Sequence, residues 1–357
     1  MTLPNYLDRV HSGDSKDLRL VPDGLCNAAI SSWAWESQVD YGDNLENLGR
    51  YSGREFIDRA VLHLQALIPK VRPDGNILIE LQSAIRDGES SLVEEKFAIA
   101  AVEQCGLHLV QKIYSVRTNA EPLAPPNRLR RGVVPIFHLV RDPKQYKVFK
   151  DAIRTPSRWA GKDKRPKYHP DGKDPGDLLW SREELLRAPD YLVLNAAGPD
   201  MNCIAAPKAQ NHGDLDHPAV MSDALAETLV LYATPPGGVV LDNMCGAGTT
   251  LLAAKKHGRR FIGFEINPKF AATARKRLGV SDAGEDMVIR EWMNAQQCAD
   301  YTGFKLATIY SKKSRGEIPV HCGSGEARYH KPEIDAWMKG EWKPDAIQLA
   351  QGTAKER

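Results

Sequence analysis

Apolar residues recur at helical spacing through 56–67 (Phe56, Ala60, Val61, Leu64, Leu67), which predicts an amphipathic helix. Asn76-Ile77-Leu78-Ile79-Glu80-Leu81 follows Pro73-Asp74-Gly75 and predicts a strand introduced by a turn. The same reading gives a strand ending at 28–30, a helix over 92–105, and strands over 107–116 and 133–140. After an interruption the alternation returns. Helices are expected at 224–233, 249–257 and 268–278, and strands at 238–241 and 261–264. Strands alternating with helices predict an α/β fold with a mostly parallel sheet.

The interruption, 151–210, is rich in Lys, Arg, Pro, Gly and Asp, and is expected to be a surface insertion or a recognition region. Residues 281–290 begin with SDAGED and suggest a polar linker; 291–340 form a small, mainly helical unit, and 341–357 a loose tail. A length of 357 residues accommodates two or three domains. No apolar run reaches the roughly 18 residues needed to span a bilayer, and no secretory signal is visible, so a cytoplasmic protein is expected. The six cysteines include no CxxC pair, so neither a metal site nor a disulfide framework is expected. Net charge is only +2, so any attraction to nucleic acid must be local.

The chemistry concentrates in Val239–Thr250, VVLDNMCGAGTT, where a strand runs into Gly246-Ala247-Gly248 and a helix opens directly after. Glycine lets a backbone approach a ligand, and a helix N-terminus offers oriented N–H groups. A second strand ends at Glu265, and an acid there accepts ribose hydroxyls in doubly wound sheets. An ordinary tight turn is the alternative. GxGxxG is absent, because Thr249-Thr250 follow Gly248, which argues against a dinucleotide.

DNMCGAGTT, followed by GRRFIGFEINPKFAATARKRL, resembles the donor-binding segment of bacterial DNA amino-methyltransferases, with its DPF-CGSGTT and GR-FIGIE-NP-Y patterns. HPAVMSDALAETLVLYATPPGGVVLD (217–242) is similar to the segment preceding it in that family, with Met221 and Ser222 departing from the pattern. SWAWESQVDYG (32–42) aligns without a gap to SPPYWGLRDYG-type sequences, and the resemblance covers about residues 7–280. The catalytic segment precedes the donor segment, as in the permuted β-type class.

The resemblance implies a Rossmann-like sheet, S-adenosyl-L-methionine (SAM) as cofactor and double-stranded DNA as partner. Asp14, Asp242, Cys245, Gly246, Gly248, Thr249, Glu265 and Asn267 would bind the donor. Ser32 would accept a hydrogen of the target amine, the Trp33 carbonyl the other, and Trp35 would stack on an extruded base. Serine in the first position favours cytosine N4 over adenine N6. Both prolines of the motif are replaced, by Trp33 and Ala34, so Trp33 would block or reshape the base pocket, or both indoles would pack under the loop. Cys26 stands six residues before Ser32 without a Pro-Cys pair, and is expected to be structural rather than a cytosine-C5 nucleophile.

Arg158, Lys162, Lys164 and Arg165 lie where the family carries target recognition, and Arg128, Arg130 and Arg131 form a second basic loop. Both stretches are candidates for phosphate contact or plain solvated surface. The terminal unit resembles the winged helix-turn-helix of excisionase and MerR-like proteins in its turn glycine, Tyr310, RGEIP (315–319) and DAW (335–337). This implies a DNA face containing Lys305, Thr308, Lys312, Lys313 and Arg328, protein docking being the alternative.

The sequence thus predicts a DNA methyltransferase acting on an exocyclic amine, located at the nucleoid. A silent SAM-fold regulator and a methyltransferase for RNA or protein are the alternatives. The oligomeric state stays open, a homodimer included.

Overall fold

The computed structural model describes residues 6–36, 46–116, 133–154, 178–179, 221–280, 292–302, 304–322, 327–338 and 340–342. They belong to two compact units, Met1–Asp286 and Met287–Arg357, whose division falls inside the segment 281–290.

In the first unit, β1 (Arg9–Ser12) and β2 (Cys26–Ser32) precede α1 (Gly53–Leu67) and β3 (Val71–Glu80). A two-residue-strand hairpin, β4 (Ile85–Arg86) and β5 (Glu89–Ser90), leads to α2 (Val93–Glu103). There follow β6 (His108–Val116), β7 (Val133–Val140) and β8 (Leu178–Leu179). Then come α3 (Asp223–Ala233), β9 (Val239–Asp242), α4 (Thr249–Lys256), β10 (Arg260–Glu265) and α5 (Pro268–Leu278).

Among the described residues these strands build one eight-stranded sheet of order β1-β10-β9-β2-β3-β7-β6-β8. The five strands from β1 to β3 run parallel, and β7 is antiparallel to both neighbours. Alternation along each strand fills two cores, one per face. Ala29, Ile77 and Ile79 join Phe56, Leu64 and Phe97 under α1 and α2. Ala28, Ile30 and Leu78 join Leu229, Leu251 and Ala274 under α3, α4 and α5. Burial on both faces is why the strands read as nearly continuous apolar runs.

One local expectation is corrected. Pro73-Asp74-Gly75 does not precede the strand but lies within β3. The register of β2 against β3 shifts between Cys26 and Ala28, so the segment is an irregularity inside the ladder. A Cβ on Gly75 would stand 2.7 Å from the Asn27 carbonyl oxygen, so close backbone approach, not turn formation, requires glycine here.

From β9 the chain crosses through α4 to β10, and from its neighbour β2 it crosses through α1 to β3 on the opposite side. The strand order therefore reverses between β9 and β2. The carboxyl ends at that point carry Asp242 and Ser31-Ser32, and such a crevice is where open α/β sheets bind ligands.

The second unit runs β11 (Trp292–Met293), α6 (Ala295–Thr302), α7 (Leu306–Ser314), β12 (His321–Cys322), β13 (Ala327–His330) and α8 (Lys331–Met338). Its strands pair antiparallel in the order β11-β13-β12. Cys298, Ala299, Ile309, Ile318, Tyr329 and Ile334 form its core.

Candidate functional site

A cavity opens at the switch point, the place where open α/β sheets bind ligands. Asp14, Gly246 and Glu265 line it, together with Ser32 and Ala34. Glu265 closes β10, and its Oε2 accepts the Gly246 N–H at 2.8 Å while Oε1 accepts the Asn267 N–H at 2.8 Å. Burial pushes its carboxyl up to about 7, against the pull of those backbone donors. A carboxyl at a strand end beside a glycine turn fits a ribose bearing two hydroxyls. The residues present therefore fit a nucleoside-type donor.

Asp242, at the end of β9, accepts the Ser31 hydroxyl at 2.5 Å and the Met244 N–H at 3.2 Å. Burial raises its carboxyl to about 6, with those hydrogen bonds and one from Thr250 opposing. Asp14 follows β1 and accepts the Lys16 N–H at 2.9 Å; its carboxyl is raised by burial, with Lys16 pulling the other way. The Lys16 ammonium also bonds Glu46, which lines the cavity.

Five of the residues expected to hold the donor stand behind the wall. Asp242 ties β9 to β2 through Ser31. Cys245 is buried, and its Sγ lies 3.1 Å from where a Cβ on Gly263 would be. Gly248 sits at the N-cap of α4 with φ +80°, where a Cβ would come within 2.9 Å of the Ala274 Cβ. The Thr249 hydroxyl accepts Arg277 Nη1 at 3.1 Å. Asn267 caps α5, its Oδ1 accepting the Lys269 N–H at 3.0 Å. These residues shape the crevice by holding its supports, because the turn around Cys245 is packed against β10 and α5.

The segment Ser31-Ser32-Trp33-Ala34-Trp35-Glu36 continues the alternation of β2. Ser32 and Ala34 face the cavity, while Trp33 drops into the core with Ala29. Trp33 is fully buried, meets Phe97 and His63 edge-on at 5.5 and 5.9 Å, and donates its Nε1–H to Asn243 Oδ1 at 3.0 Å. Of the two expectations for Trp33, obstruction of the pocket and packing under the loop, the fold takes the second: the indole lies under the floor. Trp35 is half-buried, packs at the edge of the same core and is not among the residues lining the cavity. Glu36 is buried and accepts the Gly53 N–H at 2.6 Å, tying the end of the segment to α1. Cys26 is buried at the start of β2, its thiol pushed up to about 12 by desolvation.

Sequence reasoning missed His63, Ser15 and Asn243, all of which line the cavity. Asn243 Nδ2 donates to Ser15 Oγ at 3.4 Å, and Ser15 Oγ lies 3.0 Å from His63 Nδ1. His63 falls within the apolar stripe of α1, so periodicity alone registers it as core; a buried polar residue beside a predicted ligand site was the available signal.

In the second unit, Lys305 is exposed at the start of α7, Thr308 and Lys313 are half-buried, and Arg328 is exposed on β13. Lys312 is engaged within the unit instead. Its ammonium lies 5.4 and 5.9 Å from the Trp337 and Phe304 rings and 3.6 Å from Glu317. Arg128, Arg130, Arg131, Arg158, Lys162, Lys164 and Arg165 lie outside the described residues.

Residues 41–276 match the N6/N4 methyltransferase family, described as DNA methylase. The chain is 23% identical over 343 residues to the type II methyltransferase M.BglII of Bacillus subtilis, covering 92% of this chain and 85% of that protein. It is also 23% identical over 298 residues to the type II methyltransferase M.PvuII of Proteus hauseri, covering 78% of this chain and 86% of the other. Among solved structures, PvuII DNA methyltransferase (cytosine-N4-specific) superposes with a TM-score of 0.53 at 18% identity, over 87% of this chain and 94% of that one, which is a likeness of fold. The family match spans about two-thirds of the chain and includes the glycine turn and Glu265. The chain therefore belongs to the N6/N4 DNA methylase family, whose members are DNA amino-methyltransferases using SAM as methyl donor.

Proposed function

We propose that this enzyme methylates the N4 amine of a cytosine extruded from duplex DNA, in preference to the N6 amine of adenine. One observation carries the reading of an open, working site: Ser32 and Ala34 line the same cavity as Gly246 and Glu265, while Trp33 is folded beneath it; the preference for cytosine rests on serine at position 32. A plugged, silent relic would have its indole in the cleft.

When bound, the donor supplies an electrophilic methyl group on a sulfonium. Glu265 would hold the ribose hydroxyls, with Asp14 beside it in the wall. Asp242, Cys245, Gly248, Thr249 and Asn267 would keep that wall in place. Ser32 would accept one amine hydrogen and the Trp33 carbonyl the other, aiming the nitrogen lone pair at the methyl group. Trp35, which packs at the edge of the core and does not line the cavity, would have to turn outward to stack on the base, an interaction worth roughly 1–3 kcal/mol. Catalysis in this scheme is positioning.

Incubating the protein with methyl-labelled SAM and duplex DNA, then digesting to nucleosides, tests the assignment. N4-methylcytosine is expected. N6-methyladenine would overturn the base preference, and unlabelled DNA would overturn transfer itself.

Donor binding should depend on pH. Glu265 accepts hydroxyl protons best when ionised, and its carboxyl is raised from 4.5 to about 7. Donor affinity should therefore be full well above pH 7, begin to fall as pH drops through about 7, and decline further on acidification by at most about tenfold per unit. Calorimetric titration between pH 6 and 8 measures this, and Glu265→Gln should flatten the profile. A flat profile in the unsubstituted protein would reject Glu265 as the ribose acceptor.

The second unit we read as a winged helix-turn-helix that brings the enzyme to DNA at the nucleoid, with α7 in the major groove and β12–β13 as the wing. Lys305, Thr308, Lys313 and Arg328 would face DNA, with Lys312 bracing the unit. Deleting 287–357 should weaken duplex binding. If Lys305, Lys313 and Arg328 each neutralise one phosphate, the slope of log K against log salt should become shallower by about 2–3. Fluorescence anisotropy over a salt series reads both; an unchanged affinity and slope would make the unit a protein-docking module.

A further inference from the structure

The hydrogen bonds beneath the cavity have a direction. The Trp33 indole nitrogen can only donate, so the Asn243 amide oxygen, 3.0 Å away, must face it. That orientation turns the Asn243 NH2 toward Ser15 Oγ at 3.4 Å. Among the described residues, the Ser15 hydroxyl proton is then left with one acceptor, His63 Nδ1 at 3.0 Å. An imidazole that accepts at Nδ1 carries its proton on Nε2 when neutral. His63 is only 3% exposed, and burial together with Lys16 and Arg59 lowers it to about 3, so it stays neutral across working pH. Among the described residues Nε2 has no hydrogen-bond partner, and His63 is among the residues lining the cavity. The relay thus leaves an unpartnered N–H donor at the edge of the site.

What that donor meets follows from the topology. Glu265 ends β10, on one side of the switch point, and His63 lies on α1, which leaves from β2 on the other. On the donor-binding reading, a donor with its ribose on Glu265 and its amino-acid end running across β9 toward β2 would bring that end to α1. At that end the cationic sulfonium and the ammonium are not hydrogen-bond acceptors, and the carboxylate is.

On the donor-binding reading above, we infer that His63 is a cofactor-binding residue whose Nε2–H hydrogen-bonds the carboxylate of the methionine end, its tautomer set by Trp33 through Asn243 and Ser15. The aromatic that displaces a motif proline here is therefore the fixed end of a binding network. Neutral imidazole suits this place, since an imidazolium would repel the sulfonium.

Isothermal titration with S-adenosylhomocysteine and with 5′-methylthioadenosine, which lacks the amino-acid end, tests this. His63→Phe should lower affinity for S-adenosylhomocysteine about tenfold to a hundredfold, the range for a hydrogen bond to a charged group, and leave 5′-methylthioadenosine unchanged. Equal losses for both ligands, or no loss, would overturn the proposal. The second readout is 15N NMR of the labelled imidazole in the unsubstituted full-length protein. A neutral Nε2–H tautomer is expected from pH 6 to 8, and an Nδ1–H tautomer would overturn the relay. Trp33→Phe, which removes the one-way donor, should give a mixture of tautomers; a pure Nε2–H signal there would equally overturn it. Failure of the unsubstituted protein to bind either nucleoside would instead sink the donor-site reading, while the NMR result would still decide the relay.

Discussion

Replacing Ser32 with alanine is expected to slow methyl transfer about 10²–10³-fold, the scale of removing one preorganised hydrogen-bonding group at a reacting centre. Donor affinity should stay within about twofold, because Glu265 and Gly246 are untouched. The reason lies in how the two serines at the end of β2 are used. Ser31 spends its hydroxyl on Asp242 at 2.5 Å. Ser32 faces the cavity, and among the described residues its hydroxyl has no hydrogen-bond partner. It is therefore free to accept from a target amine, and its backbone is held in register opposite Glu80 on β3. Ser31→Ala is the control that separates support from chemistry. It deprives a buried carboxyl of a partner, so it should cost about 1–3 kcal/mol of stability. Single-turnover rates at saturating donor and DNA distinguish them; a Ser32→Ala enzyme with an undiminished rate would reject the assignment.

Much of this arrangement is legible in the amino-acid sequence. The mostly parallel sheet, the helices after β2, β9 and β10 and the acid at the end of β10 all follow from alternating apolar runs and a glycine turn. The destination of Trp33 is legible too, yet hard to see. Extending the period of β2 by one residue puts position 33 on the face of Ala29 and Ser31, under the loop, and position 32 in the cavity. The family pattern obscures this, because prolines at the corresponding positions carry no such side chain. Likewise DNMCGAGTT has Asn243 where the DPF-CGSGTT pattern has proline, and Asn243 is the residue that Trp33 bonds. Two departures 210 positions apart in sequence are the two ends of one contact, which no local reading connects. His63 is hidden for another reason: a buried histidine keeps the helical period as well as a leucine does. The supporting roles of Cys245, Gly248 and Thr249 depend on β10 and α5, elements the glycine turn meets only after folding.

Gly248→Ala should unfold the donor crevice more readily than any exposed substitution, at a cost of about 2–5 kcal/mol. Two independent penalties act there. Gly248 adopts φ +80°, in the left-handed region that costs other residues roughly 1–2 kcal/mol. A Cβ would also stand 2.9 Å from the Cβ and 3.3 Å from the Cα of Ala274 on α5, and overpacking of that kind costs about 1–3 kcal/mol. The two parts can be separated. Ala274→Gly removes the nearer atom, at about 0.5–1 kcal/mol for glycine in a helix. In the Gly248→Ala, Ala274→Gly double variant the steric penalty should be relieved and the backbone penalty kept, giving a favourable coupling of about 1 kcal/mol or more in a double-mutant cycle. Urea unfolding with an unchanged m-value reads all four corners. The functional consequence follows from position. Gly248 donates its N–H to the Cys245 carbonyl at 2.7 Å, closing the turn that holds the Gly246 N–H against Glu265. Displacing that turn removes a partner of the buried carboxyl, so donor affinity should fall along with stability. A Gly248→Ala protein as stable as the parent, or one showing no coupling to Ala274, would mean that α5 yields and that the glycine is not fixed by packing.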